Sequence, residues 1–313
     1  MQYKSIPNTN LQVSPINLGC NVFGWTADKN TSYKILDTFL DAGFNFIDTS
    51  DTYPWWVNGV GELSEEIIGS WIKLRNNRDK LVIATKTGSK NKYHPEDISS
   101  KHIFKAIDDS LSRLQTDYVD LYYTHFDDKV TPVSDTMCAF EKIIKAGKVN
   151  YIAASNISSE RFIASMDFAL SNNMPAYIAL QTEYNLMERT TFETIYHALI
   201  KKYQLAYFPF RGLASGFLTG KYLNESDLNK SVRGSGLKKY LNERGMQTIA
   251  AIQKIAKKHR VIPAAISIAW ILAQPDITAP IVSEKTKEQL LPLLESTKVI
   301  LDDEDLELLN NIH

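Results

Sequence analysis

The sequence predicts an α/β fold, specifically a (β/α)8 TIM barrel with an N-terminal β-hairpin and extra C-terminal helices. Short apolar runs alternate with helical patterns along the 313 residues, which is the order of a parallel barrel. The runs are continuously apolar, as expected of parallel strands buried on both faces. The predicted strands cover residues 16–18, 44–48, 81–86, 118–124, 151–155, 178–182, 205–209 and 278–282.

The segments around these strands complete the prediction. Residues 3–5 and 11–13 are expected to pair as a hairpin that closes the barrel floor. Amphipathic helices follow Ser64, Ser99 and Ser158, since serine favours helix starts. Two final helices are predicted near 286–294 and 302–310, and the longest irregular stretch is 221–241. We see no linker, so one barrel domain is expected over residues 1–313.

A doubly wound fold is the alternative architecture for alternating strands and helices. It would need the Gly-rich fingerprint G-x-G-x-x-G after its first strand. Residues 18–24 read LGCNVFG and lack that spacing. The barrel is therefore the favoured fold.

Composition limits the class of protein. The net charge is −1 and the hydrophobic content is 44%, so nothing favours nucleic acid or a membrane as partner. Two cysteines, Cys20 and Cys138, are too few for a disulfide framework. The polar N-terminus carries no apolar secretory segment, and no apolar run approaches the roughly 20 residues that span a bilayer. We expect a cytoplasmic protein.

Polar side chains occur where predicted strands end. Asp48, Lys86 and His125 end three successive strands at spacings of 38 and 39 residues, and Tyr53 follows in the loop after Asp48. In a parallel barrel, consecutive strand ends point to one mouth. Each residue alone has an ordinary structural interpretation, such as packing or capping. The four together predict one shared site.

An acid, a lysine, a phenol and an imidazole suit the delivery of a proton to a carbonyl oxygen. Tyr53 is the expected donor, because a phenol is protonated at pH 7. Lys86 is expected to lower the pKa of Tyr53, and Asp48 to keep a partly buried Lys86 charged. His125 can donate to the substrate oxygen and set its angle.

Longer motifs carry a resemblance to the aldo-keto reductases, in the bacterial-type branch related to the potassium-channel beta subunits. They cover residues 43–53, 61–69, 83–86, 120–125, 147–156 and 218–222. The resemblance extends over essentially the whole chain. It implies NADPH-dependent reduction of an aldehyde or ketone to an alcohol, with the family's catalytic tetrad on Asp48, Tyr53, Lys86 and His125.

The same resemblance implies a nicotinamide site at the later strand ends. Ser155, Asn156 and Gln181 would hold the carboxamide. The family's Tyr-Ser-Pro-Leu is replaced by Phe210, Arg211, Gly212 and Leu213, with Ser215 close behind. Phe210 can still stack on the ring. Arg211 could reach the pyrophosphate or point to solvent.

The adenosine end is implied around residues 281–290, with Ser283, Lys285 and Gln289 as contacts. Thr286 could cap the following helix, whose N-terminus favours an anion. Lys285, with Lys221 and Arg233, favours NADP(H) over NAD(H), while Glu284 opposes it. Further on, 292–293 read Pro-Leu instead of the usual Glu-Asn.

The substrate pocket is expected from aromatic residues in the first two strand-end loops. Trp25, Trp55 and Trp56 lie near Tyr53 in sequence, which suits a planar carbonyl compound or the apolar face of a sugar. Trp56 could equally be a packing residue. No metal is assigned, because Asp127 and Asp128 cannot easily face one ion together with His125.

Other functional classes remain open at this point. A cofactor-binding regulatory or redox-sensing module with slow carbonyl reductase activity is the main alternative. A metal-dependent barrel isomerase or hydrolase lacks a convincing ligand set. The expected partner is a small-molecule carbonyl substrate, and neither its identity nor the oligomeric state follows from the residues.

Overall fold

The computed structural model describes residues 2–231 and 234–312. A short antiparallel hairpin pairs β1 (Lys4–Ser5) with β2 (Gln12–Val13), as predicted. Eight parallel strands then form one curled sheet in the spatial order β10-β3-β4-β5-β6-β7-β8-β9. These strands are β3 (Asn17–Gly19), β4 (Phe46–Asp48), β5 (Val82–Thr87), β6 (Val119–Thr124), β7 (Val149–Ser155), β8 (Ala179–Gln181), β9 (Ala206–Tyr207) and β10 (Ile281–Val282).

The two edges of this sheet approach each other. The N–H of Thr278 donates to the carbonyl of Tyr207 at 3.0 Å, and the N–H of Ile281 donates to the carbonyl of Pro209 at 2.8 Å. These bonds join the end of β9 to the residues that lead into β10. The arrangement is consistent with the predicted (β/α)8 barrel.

Apolar side chains leave the strands on both faces, which explains the continuous apolar runs. Phe46, Ala84 and Leu121 belong to an inner cluster, together with the hairpin residues Leu11 and Val13. Their neighbours along the strands, including Ile47 and Ile83, pack in a larger cluster with the helices. The hairpin therefore covers one end of the inner core and leaves the opposite end for the site.

Helices follow the strands in the described part of the chain. They are α1 (Lys29–Asp41), α2 (Trp55–Asn58), α3 (Leu63–Arg75), α4 (Ser100–Leu114), α5 (Val133–Lys145), α6 (Ser159–Ser171), α7 (His197–Tyr203), α8 (Glu243–His259), α9 (Pro263–Ala273), α10 (Lys287–Leu294) and α11 (Asp303–Asn310). The last two confirm the predicted C-terminal helices.

Three of the predicted helix starts hold and one shifts. Ser99 and Ser158 cap α4 and α6 by accepting backbone N–H groups, and Thr286 caps α10 in the same way. Ser64 does not precede its helix, because α3 begins at Leu63. The Ser64 hydroxyl instead donates to the carbonyl of Cys20 at 2.9 Å, which ties α3 to the end of β3.

The stretch predicted as irregular contains regular turns. It carries two 3₁₀ helices, Glu225–Lys230 and Gly234–Tyr240. Asn224 and Asp227 form a capping box at the first of them. This local helix signal was present in the sequence, but the many Gly, Ser, Asn and Lys residues of the stretch favoured an irregular interpretation. Arg233, predicted to contact the cofactor, lies outside the described residues.

Two properties of the described residues bear on the class of protein. Cys20 and Cys138 are both free thiols. Within residues 2–231 and 234–312, none of the helices combines the length and the apolar character needed to cross a bilayer.

Gly69 marks the tightest approach between α3 and α4 and offers a test of the packing. A Cβ at this position would lie 2.0 Å from the carbonyl oxygen of Arg113, so Gly69→Ala must force the helices apart. We expect a loss of about 1–3 kcal/mol in the free energy of unfolding, measured by urea denaturation. Gly236→Ala is the control, because a Cβ there meets nothing within 4 Å. Equal stability of the two variants would contradict this packing.

Candidate active site

A cavity of about 800 Å³ opens at the carboxyl ends of the strands, the end that carries active sites in barrels of this type. Asp48, Tyr53 and His125 line it, with Gln181 from the end of β8. Lys86 is fully buried beside them and does not reach the surface. The structure thus brings the four predicted residues together.

Lys86 and Asp48 form a buried ion pair, in which the ammonium donates to Asp48 Oδ1. The ammonium also donates to the carbonyl of Thr49 at 2.7 Å, and the Gln181 amide donates to Asp48 Oδ2 at 2.9 Å. Burial opposes the charge on Lys86, but Asp48 and Tyr53 outweigh it and raise its pKa. Burial also raises the pKa of Asp48, and Lys86 opposes that shift. Lys86 is therefore a fixed cation beneath the cavity.

Tyr53 lies directly above this cation. The Lys86 ammonium is 5.0 Å from the centroid of the Tyr53 ring. Burial raises the pKa of Tyr53, and Lys86 only partly opposes the rise. Lys86 thus acts in the expected direction on the Tyr53 pKa, but the net shift is upward because desolvation of the phenolate exceeds the attraction of Lys86. The phenol stays protonated at neutral pH.

His125 completes the group and is neutral. Its ring centroid is 5.6 Å from that of Tyr53, and its side chain is buried. Burial and the nearby Lys86 charge bring the pKa of His125 well below its ordinary value. A neutral imidazole can donate from only one ring nitrogen. Nδ1 lies 3.1 Å from the hydroxyl of Ser50, so Nε2 is the nitrogen left for the cavity.

Aromatic side chains form the mouth of the cavity. Trp56 is 40% exposed and contacts the Trp25, Tyr53 and Trp55 rings at centroid distances of 5.4, 6.0 and 6.3 Å. Trp55 and Trp56 line the cavity directly, whereas Trp25 touches it through Trp56. Trp56 therefore lies at the centre of this aromatic cluster and also lines the cavity.

The predicted carboxamide contacts divide into two groups. Gln181 and Asn156 line the cavity. The Asn156 amide donates to the carbonyl of His125 at 3.0 Å and to the Ser155 hydroxyl at 2.9 Å. Ser155 is fully buried behind Asn156, so its place is to hold Asn156 in position.

The loop after β9 has an unusual backbone. Arg211, Ala214 and Ser215 all have positive φ, between 47° and 58°, a region that most side chains disfavour. Phe210, Arg211, Gly212, Leu213 and Ser215 line the cavity. The Arg211 side chain is 58% exposed and has a partner on the neighbouring strand end. Its guanidinium donates to Glu183 Oε2 at 3.0 Å, and this ion pair bridges the ends of β8 and β9.

Most of the residues predicted for the adenosine end also line the cavity. Ser283, Glu284, Lys285 and Lys221 line it. Gln289 lies on α10, where its side-chain oxygen accepts from the N–H of Lys285 at 3.3 Å. This bond ties the first turn of α10 to the loop that carries Lys285.

The acidic residues after His125 are engaged elsewhere. Asp127 forms an ion pair with Arg161 at 3.3 Å, and Asp128 accepts from the hydroxyl and N–H of Thr131. Each of these carboxylates therefore stabilises its own surroundings.

Sequence reasoning missed three polar residues at this site. Ser50 contacts His125, Asp51 contacts Ser50 at 3.1 Å, and Glu183 pairs with Arg211. Ser50 and Asp51 stand in the run between Asp48 and Tyr53, so their position next to two singled-out residues was the available signal. Glu183 follows Gln181 by two residues, so it had the same signal on one side only.

Comparison with known proteins gives the class of this site. The aldo/keto reductase family model matches residues 15–313. "Uncharacterized oxidoreductase YrpG" of Bacillus subtilis (strain 168) is 32% identical, over 100% of this chain and 96% of that protein. "Aryl-alcohol dehydrogenase [NADP(+)]" of Phanerodontia chrysosporium is 29% identical, over 97% and 84%. "Probable voltage-gated potassium channel subunit beta" of Oryza sativa subsp. japonica is 31% identical, over 96% and 92%.

The site and these relatives define an NAD(P)H-dependent oxidoreductase that acts on carbonyl groups. The chain belongs to the aldo/keto reductase family. The resemblance drawn from the motifs, including the branch with potassium-channel beta subunits, is confirmed.

The buried pair can be tested by removing its cation. Lys86→Met leaves the Asp48 carboxylate buried without a counter-ion, so we expect a loss of about 3–5 kcal/mol in the free energy of unfolding. The loss should be greater at pH 8 than at pH 5. The reason is that burying the unpaired Asp48 side chain costs less free energy when its carboxyl group is protonated and neutral.

The double variant Asp48→Asn/Lys86→Met is the matched control for this measurement. It removes both charges and should recover part of the lost stability, with little dependence on pH. If the single variant is no less stable than the double variant, Lys86 does not neutralise Asp48 in the folded protein.

Proposed function

We propose that this protein reduces an aldehyde or ketone to an alcohol with NADPH, and that Tyr53 is the general acid. The observation that carries the proposal is the position of the Tyr53 phenol, at the cavity surface and directly above the buried Lys86–Asp48 pair. When a hydride adds to a carbonyl carbon, negative charge develops on the oxygen, which then needs both a proton and a nearby positive charge. This group of residues offers both.

The chain's own residues divide the proton chemistry between them. Tyr53 holds its proton at neutral pH, since its pKa is raised by burial. As the proton leaves, the Lys86 ammonium favours the phenolate by electrostatic attraction. Asp48 keeps Lys86 in place, and neutral His125 offers a donor that orients the substrate oxygen without adding a second positive charge.

The residues around the cavity fit a nicotinamide cofactor. The Gln181 amide nitrogen is used by Asp48, which leaves its oxygen to accept from a carboxamide, and Asn156 lies beside it. Phe210 offers an aromatic face. The positive-φ loop at Ala214 and Ser215 belongs to the class of backbone that forms concave anion sites. When bound, the cofactor would supply the hydride.

NADP(H) is the proposed form of the cofactor. Lys285 and Lys221 both line the cavity, and their charge would favour the added negative charge of a 2′-phosphate. Glu284 opposes a phosphate there, but it is one carboxylate against two lysines. One relative carries NADP(+) in its name, which supports the same choice. We keep Arg233 in the proposal on sequence grounds.

A regulatory role is the second candidate, because a probable potassium-channel beta subunit is among the relatives. Such a module would bind the cofactor and turn over slowly. A screen of carbonyl compounds under saturating NADPH separates the two candidates. Multiple turnovers per second support the enzyme, while turnover below about one per minute with every compound supports the regulatory module.

Tyr53→Phe tests the general acid. The ring remains and the transferable proton is lost, so kcat should fall about 10²–10⁴-fold, with NADPH binding unchanged in a fluorescence titration. Tyr151→Phe is the matched control, because the Tyr151 hydroxyl contacts Asn10 at the hairpin end of the barrel. Activity of Tyr53→Phe within a few-fold of the wild type would remove Tyr53 from this role.

Cofactor choice is tested by the dissociation constants of NADPH and NADH. NADPH should bind more tightly, and Lys285→Ala should weaken NADPH roughly tenfold or more, as loss of a charged hydrogen bond does, while NADH changes little. Lys254→Ala, on the exposed face of α8, should affect neither. Equal or tighter binding of NADH by the wild type would exclude the preference.

A further inference from the structure

A single hydroxyl connects a carboxyl group to His125 beneath the proposed site. Ser50 Oγ lies 3.1 Å from His125 Nδ1 and 3.1 Å from Asp51 Oδ1. Ser50 is fully buried and His125 is 5% exposed. The chain Asp51–Ser50–His125 is therefore shielded from bulk water at its centre.

A hydroxyl has one proton, so Ser50 cannot donate to both neighbours at once. When Asp51 is ionised, its carboxylate can only accept, and Ser50 must donate to it. Ser50 Oγ then accepts from Nδ1–H, which leaves His125 Nε2 without a proton. In that state Nε2 is an acceptor and cannot donate to a carbonyl oxygen.

The opposite arrangement follows when Asp51 is protonated. The Asp51 carboxyl donates to Ser50 Oγ, and the Ser50 proton turns to Nδ1. His125 then carries its proton on Nε2. Thr52 makes two contacts with Ser50 Oγ: its N–H donates at 3.3 Å, and its hydroxyl lies at 3.2 Å, where either oxygen could be the donor. The choice still follows Asp51, because a carboxylate and an imidazole nitrogen are both stronger acceptors than a threonine hydroxyl.

We propose that Ser50 is a positioning residue that makes the tautomer of His125 follow the protonation state of Asp51. The inference rests on the proposed function in one respect, namely that Nε2 faces the substrate oxygen. The reduction would proceed with His125 as donor only when Asp51 holds a proton.

The proton balance of the change is simple. One proton enters at Nε2 from the cavity. The Nδ1 proton passes to Ser50 Oγ, and the original Ser50 proton passes to Asp51. One proton is taken up in total, His125 stays neutral, and Ser50 remains a hydroxyl throughout.

The surroundings of Asp51 allow this exchange near neutral pH. Burial and the Glu65 carboxylate of α3 raise the pKa of Asp51 to about 7. The Arg113 guanidinium of α4 and the hydrogen bonds from Ser50 and Thr87 lower this pKa, but their effect is smaller. Tyr122 of β6 also faces Asp51. Arg113 is itself shared with Glu62 and Glu65, which weakens its hold on Asp51.

The neighbours of His125 exclude the imidazole itself as the titrating group. Lys86 faces His125 and, with burial, keeps the pKa of the imidazole well below neutrality. Tyr53 is the other titratable group in contact with it, and burial raises the pKa of that phenol. A change at His125 between pH 6 and pH 8 therefore reports Asp51.

The test is nitrogen NMR on the full chain labelled with ¹⁵N-histidine. The shifts of Nδ1 and Nε2 distinguish the two neutral tautomers, and His125→Gln identifies the signals of His125. We expect mainly Nε2–H at pH 5.5 and mainly Nδ1–H at pH 8.5. Ser50→Ala and Asp51→Asn should each hold one tautomer ratio across this range, while Ser70→Ala, on α3, keeps the wild-type inversion.

Kinetics give a second measurement. Above the midpoint, kcat/KM for carbonyl reduction by the wild type should fall about tenfold per pH unit, and Ser50→Ala should lose this limb. A wild-type tautomer that is constant with pH, or one that inverts equally in Ser50→Ala, overturns the proposal. The NMR result does not depend on Tyr53, so failure of the general-acid proposal remains a separate outcome.

Discussion

The site depends on one interaction, the ion pair between Lys86 and Asp48 inside the barrel. Lys86 is completely buried and Asp48 is 2% exposed, and removing such charges from water costs several kcal/mol each. The cost is offset only because every partner is in place. Thr49 accepts from the ammonium and Gln181 donates to the carboxylate, so three strand ends are tied together by one pair.

The ion pair also affects the pKa values of the two side chains beside it, Tyr53 and His125. Lys86 lowers the pKa of His125 and opposes the rise of the Tyr53 pKa caused by burial. Burial and this cation together keep the imidazole neutral, and the cation makes the phenol a better proton donor than burial alone would allow. Because Lys86 and Asp48 are buried and fixed at strand ends, little reorganisation of these charges is needed when charge develops on the substrate oxygen.

The proposed cofactor side of the cavity depends on a different feature, the strained loop after β9. The backbone after β9 adopts positive φ at Arg211, Ala214 and Ser215, at a cost of order 1–3 kcal/mol for each such residue. Buried Asn185 stabilises this path by donating to the carbonyl of Arg211 at 3.0 Å. The ion pair between Arg211 and Glu183 connects this loop to the residues that follow β8. Strain concentrated in one loop is typical of binding sites.

Much of this protein is determined by its sequence. The buried parallel strands, the hairpin and the helix caps at Ser99 and Ser158 follow from apolar periodicity and local hydrogen bonding, which neighbouring residues decide. The convergence of Asp48, Lys86 and His125 also follows, since regular spacing on a barrel puts strand ends at one mouth. Only the tertiary structure decided the direction of the Tyr53 pKa, the partner of Arg211 and the contact of Ser50 with His125. Each of these depends on burial or on residues 28 to 75 positions apart, and desolvation and long-range contacts are set by the folded chain as a whole.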